Sequence, residues 1–178
     1  MAGVVETRRR RATVKLEVMT QEHMKSHQEC RVVVTGTGII SPLGNDTETF
    51  WANLIAGVSG AGPVTRFDTS GFDTRFACEV KDFSTEGVID RKDAKRMDRF
   101  VQFAVMASRE AIQSAKLDLN TVDLDRVGVV IGSGIGGMET FETQHRALIE
   151  RGRGRVSPFF IPMMISDMGA GQVSIQFG

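Results

Sequence analysis

Residues Arg126–Gly137, reading RVGVVIGSGIGG, leave this chain few ways to fold. Val127 to Ile131 hold only valine, isoleucine and glycine, with no polar break. A run of this kind suits a strand buried on both faces better than one alternating between core and solvent. Gly132, Gly134, Gly136 and Gly137 follow at once. Glycines massed at a strand end mean that the backbone takes positive φ there, or lets another group approach closely. Open α/β sheets place ligands at such strand ends. The stretch therefore predicts an α/β fold whose central strand ends in a ligand-facing loop.

Enough chain surrounds it for one ordinary core: 178 residues, 41% hydrophobic and 25% charged, the profile of a globular protein. Lys+Arg and Asp+Glu are both 22, so no net field draws the whole molecule to nucleic acid or a membrane surface. No apolar run approaches the ~18 residues of a spanning helix, and the N-terminus has no apolar segment of the secretory kind. Two cysteines, Cys30 and Cys78, form neither a disulfide framework nor a CxxC pair. A reducing compartment, the cytoplasm, is the expectation.

Residues 1–30 read as a disordered N-terminal tail. They open with the run Arg8–Arg11 and continue in mixed polar sequence without a sustained apolar period. Glu6, Glu17, Glu22 and Glu29 set them apart from acid-poor transit peptides. His23, His27 and Cys30 share one helical face by spacing, yet no fourth ligand or ordered scaffold is nearby. The expectation is no metal site.

Folded sequence begins at Arg31. Arg31–Thr35, RVVVT, reads as a short strand, Gly36 and Gly38 break it, and Ser41-Pro42-Leu43-Gly44 makes a turn. A helix follows, capped by Asp46 or Thr47, with Phe50, Trp51, Leu54 and Ile55 as its buried face and Gly57 as its stop. TGTGIISPLG superficially resembles a dinucleotide fingerprint. No third glycine stands where the helix starts, and Pro42 interrupts the turn. The chain also has no tyrosine, the catalytic residue of reductases with a related glycine turn. A nicotinamide enzyme is set aside, and no cofactor is expected. Ser59–Thr74 reads as an irregular excursion, and Phe76–Val80 as a short strand with Cys78 a packed side chain rather than a nucleophile.

Asp90–Arg99, DRKDAKRMDR, places Lys92, Lys95, Arg96 and Arg99 at helical spacing on one face. Such a face is either simply solvated or a docking patch for an acidic partner. Phe100, Phe103, Ala104, Ala107, Ala111 and Ile112 then trace the buried stripe of a long helix, whose alanines permit close packing. Met138–Glu150 is a further helix with Gly152 past its end. Ser157–Pro162, SPFFIP, is apolar yet punctuated by two prolines, so it is no central strand and must be covered by something. Pro162 suits the first turn of a last helix, Met163–Phe177, with Gly169 and Gly171 allowing close packing.

RVVVTGTGIISPLG, RKDAKRMDRF, VVIGSGIGG and SPFFIPMMISDMGAGQVSIQFG, in this order and spacing, together resemble the N-terminal part of a type II beta-ketoacyl-acyl-carrier-protein synthase. That family consists of fatty acid condensing enzymes with a thiolase-like fold. The resemblance runs from Arg31 to Gly178, with Asp167 standing where relatives usually have asparagine. It implies the N-terminal part of a layered αβαβα architecture, incomplete here. Residues 31–178 would be a beta-ketoacyl synthase N-terminal domain truncated before the catalytic cysteine.

Site residues carry over position by position. The resemblance implies that Ile135 stands at the mouth of an acyl-chain pocket, and that Phe159 and Phe160 help to line it near a dimer interface. It implies that Lys92, Lys95 and Arg96 contact the acidic acyl carrier protein. The family's nucleophilic cysteine and two histidines fall downstream of Gly178. Neither Cys30, Cys78 nor His145 sits in their motifs, so no catalytic residue is assigned. The implied function is acyl-chain elongation from acyl and malonyl thioesters, by a homodimer in full-length form. The alternative is a non-catalytic, truncated or chain-length-factor-like partner of a ketosynthase.

Overall fold

The computed structural model describes residues 31–178. The expectations for residues 1–30, including His23, His27 and Cys30, lie outside the described residues. The chain divides into residues 1–34 and residues 35–178. In the first unit, residues 31–34 take no regular structure and leave Val32 and Val34 exposed. The strand expected over Arg31–Thr35 is therefore not formed. A strand is completed by a neighbour's backbone, and none pairs with it among the described residues.

The second unit begins with the glycine turn and helix α1, Thr47–Ile55. Asp46 caps it as expected: its carboxylate accepts from the Thr49 N–H at 2.7 Å and the Thr49 hydroxyl at 2.8 Å. These bonds, the backbone one foremost, hold the Asp46 carboxyl below its ordinary pKa. A depressed folded-state pKa means stability that is present above the unfolded value and lost as pH falls through the folded one. Asp46→Ala is accordingly expected to lower stability by about 1 kcal/mol near neutral pH. The gap should shrink in acid, as urea melts across pH would show. The expected burial of α1 is corrected. Phe50 is half-buried, but Trp51, Leu54 and Ile55 are exposed, because no element covers that stripe among the described residues.

Two short strands follow, β1 at Gly62–Pro63 and β2 at Phe76–Ala77, paired antiparallel with Gly62 opposite Ala77. Cys78 lies just beyond β2 and is exposed, not packed. The strand expected over Phe76–Val80 stops too early to carry it inward.

Helix α2, Arg91–Ala94, is one turn long, and helix α3, Arg99–Ser114, begins afresh after a break. The single charged face expected over Lys92–Arg99 is thereby corrected. Asp98 caps α3 and restarts the backbone, and Arg99 turns inward between the Phe83 and Phe103 rings, 5.3 and 5.0 Å from their centroids. Along α3, Val101 and Val105 are completely buried. With Ile89, Met97 and Val173 they form the core. The predicted helix is present, but its deepest side chains are these valines, offset from the expected aromatic and alanine stripe.

The alanines do permit close packing. A methyl placed on Gly36 would fall 2.3 Å from the Ala111 carbonyl oxygen, and one on Gly38 2.0 Å from that of Ala107. Glu110 fastens the same contact, accepting from the Ile39 N–H at 2.8 Å and the Thr47 N–H at 2.6 Å.

Residues 127–131 are not strand in the structure, and no backbone ladder reaches them among the described residues. Nor are they buried on both faces. Val129 and Ile131 pack on the core, while Val130 is 97% exposed. Helix α4, Met138–Arg151, ends at Gly152 with φ +81°, as the sequence predicts. The last predicted helix is broken into α5, Phe160–Met164, and α6, Met168–Phe177. Pro162 lies in the first turn of α5. Helix α6 packs on α3, with Gly169 buried against Ile131 and Phe100. Asp167, at the head of α6, is exposed and makes no side-chain cap bond.

Candidate functional site

The glycine loop joins the core segment to α4. The Ser133 hydroxyl accepts from the Gly136 N–H at 3.0 Å and tightens the turn. Gly136 then takes φ +84°, a left-handed conformation natural only to glycine. The Gly137 N–H donates to the Met164 carbonyl at 2.8 Å, which ties the loop to the end of α5.

Gly137 has no side chain to cap α4, and Asp98 does that work from another element. Its buried carboxylate accepts from the Thr140 N–H at 3.0 Å and the Thr140 hydroxyl at 2.6 Å, and from the Phe100 N–H at 3.4 Å. One carboxylate thus satisfies first-turn donors of both α3 and α4. Asp98 and Thr140 were not singled out in the sequence. A cap signal, aspartate directly before an apolar helix, was there to be read for the first role of Asp98 only.

Ile135 stands out of this loop, 71% exposed, at a recess of about 360 Å³. Met138 and Phe141 of α4 and Met164 and Ile165 line the recess with it. Its walls are mainly apolar side chains, suited to a hydrocarbon group rather than to a charged one. Phe160 is not among the lining residues; it is half-buried, with its ring centroid 6.3 Å from that of Phe141. Phe141, Met164 and Ile165 are lining residues that sequence reasoning missed, because nothing local marks them as sharing a cavity with Ile135. His145 stacks beside Phe141, 6.1 Å between ring centroids.

Phe159 faces elsewhere. It is 40% exposed, and the Arg96 guanidinium lies 4.6 Å above its ring centroid. Lys92, Lys95 and Arg96 are all exposed. Lys92 is on α2, whereas Lys95 and Arg96 occupy the break before α3. The structure therefore places Ile135 on the recess and Phe160 beside Phe141, one of its lining residues. It brings Phe159 to the basic segment.

The chain matches the beta-ketoacyl synthase N-terminal domain over residues 29–178. It is 54% identical over 151 residues to 3-oxoacyl-(acyl-carrier-protein) synthase 2 of Staphylococcus aureus, a match covering 85% of this chain and 36% of that relative. The chain thus spans about a third of the length of the curated relatives it matches. Among solved structures it is similar to a beta-ketoacyl synthase from Burkholderia phymatum, with a TM-score of 0.69 and 28% identity, covering 83% of this chain and 36% of that one. It also shares its fold with a ketosynthase solved with a type II PKS acyl-carrier protein, at TM-score 0.68 and 24% identity, covering 82% and 39% of the two chains. These neighbours are thiolase-like ketosynthases, and the described residues form a helix-rich part of that α/β fold. The chain belongs to the beta-ketoacyl synthase N-terminal domain family.

Proposed function

We propose that this chain is part of a type II beta-ketoacyl-acyl-carrier-protein synthase, which elongates acyl chains in fatty acid biosynthesis. The observation that carries the reading is the 54% identity to a synthase of that name over most of the chain. The reaction joins an acyl group, released from its thioester, to the α-carbon of a malonyl thioester as carbon dioxide leaves. No residue of this chain is assigned to the bond changes. What it supplies is binding: Ile135 and Phe160 toward the hydrocarbon, and a basic segment toward the carrier. The longer protein is proposed to act as a homodimer in the cytoplasm, with Phe159 beside the basic segment rather than in the acyl pocket. The curated relative named above is a synthase, which favours condensation over a chain-length-factor-like role.

Lys92, Lys95 and Arg96 are proposed to meet the acidic acyl carrier protein. Their exposure and clustering support this, since like charges on one short segment favour an oppositely charged partner. Reversing both Lys95 and Arg96 to glutamate is expected to weaken binding of the full 178-residue chain to acyl carrier protein about tenfold at low salt. Added salt should narrow the difference. Fluorescence anisotropy of labelled carrier protein reads both effects. Unchanged affinity at low salt would remove these residues from the docking surface.

A further inference from the structure

We propose that Phe159 is a positioning residue for carrier docking, its ring holding the Arg96 guanidinium ready for an acidic partner. The inference rests on the docking role proposed above and adds a residue to it. Arg96 occupies the break between α2 and α3, where no helix restrains its side chain. Among the described residues no ion pair engages it, and its guanidinium carbon lies 4.6 Å from the Phe159 centroid. A cation over an aromatic face is attracted by the ring quadrupole. A guanidinium that rests its flat face on a ring keeps its in-plane N–H groups free for a further partner. Those edge donors are the ones that grip a carboxylate or phosphate in two parallel bonds.

The platform itself is held. The Phe159 N–H donates to the Ser157 hydroxyl at 3.1 Å, and the Ser157 N–H donates to the Gln144 side-chain oxygen of α4 at 2.7 Å. The Phe159 carbonyl accepts from the Met163 N–H at 3.0 Å inside α5. A long arginine loses rotamer freedom when it binds, and one already resting on a fixed ring loses less. Among the described residues Lys92 and Lys95 rest on no aromatic ring. Arg96 is thus the preorganised member of the three.

Anisotropy titration of labelled acyl carrier protein with the full chain tests this, using Phe159→Leu, Phe159→Tyr, Arg96→Gln and the double variant Phe159→Leu with Arg96→Gln. Phe159→Leu should weaken binding about threefold, and Phe159→Tyr, which keeps an aromatic face, should bind as the parent. The double variant should bind no worse than Arg96→Gln alone, because both changes remove one arrangement. A merely structural role for the ring would instead make the two losses multiply. Multiplying losses, or a Phe159→Leu chain that binds as the parent while Arg96→Gln does not, would overturn the proposal. Should Phe159→Leu melt early, Arg96→Lys keeps the charge without the flat face and leaves the ring untouched. About threefold weaker binding of that variant supports the proposal, and parity with the parent overturns it. If neither Arg96→Gln nor Lys95→Glu alters affinity, the docking role falls and this inference with it.

Discussion

Gly136→Ala will lower the unfolding free energy by about 3 kcal/mol, the sum of a left-handed backbone penalty and a backbone collision. At φ +84° an L-residue is strained before any neighbour is considered. The added methyl would also sit 2.3 Å from the Met164 carbonyl oxygen, closer than any real contact. That oxygen accepts from the Gly137 N–H, so moving it away weakens the bond joining the loop to α5. Relief in either direction disturbs the recess at Ile135, which both segments line. Urea unfolding of the variant should show a lower midpoint with the slope retained. A midpoint within a few tenths of a molar of the parent would mean that the loop relaxes freely, contrary to this geometry.

Asp98→Ala should be of similar size, about 3 kcal/mol, for a different reason. Its removal strips the α3 cap and leaves the Thr140 hydroxyl and N–H without their acceptor in a buried place. Buried donors left unpaired are costly because neither water nor protein answers them. Asp98→Asn keeps one acceptor oxygen and should lose roughly half as much. The matching substitution, Thr140→Val, removes the hydroxyl partner. Its effect should overlap with that of Asp98→Asn in a double-mutant cycle, a coupling expected only if the two side chains act as one joint. Full additivity would show that they act separately.

The helices were legible in the sequence because their signals are local. Asp46 announces α1, apolar spacing marks α3, and Gly152 closes α4, each within one or two turns of the chain. The strands were not, since a strand is finished by a partner elsewhere, and neither 31–35 nor 127–131 has one among the described residues. Burial failed for a related cause. The stripe of α1 is truly apolar, but periodicity says which side chains agree on a direction and not what lies there. At the site, charge spacing singled out the basic segment and the family resemblance named Ile135, while the joint at Asp98 spans 42 residues to Thr140. The Arg96 and Phe159 contact links two segments that were each noted but never connected. No spacing rule joins a charged turn to an aromatic loop so far along the chain.

The seating of Gly36 and Gly38 on α3 also works as a vernier. Two residues of extended chain advance roughly 6.6 Å, and four residues of helix advance about 6.0 Å. The bare positions Gly36 and Gly38 therefore fall in step with the carbonyls of Ala111 and Ala107, running in opposite directions. Slipping the loop by one residue would drive the Thr37 side chain into a helix backbone that admits no methyl. The two scales coincide at one setting, so the segment is indexed against the helix by the absence of atoms, and Glu110 only has to lock what spacing has already aligned.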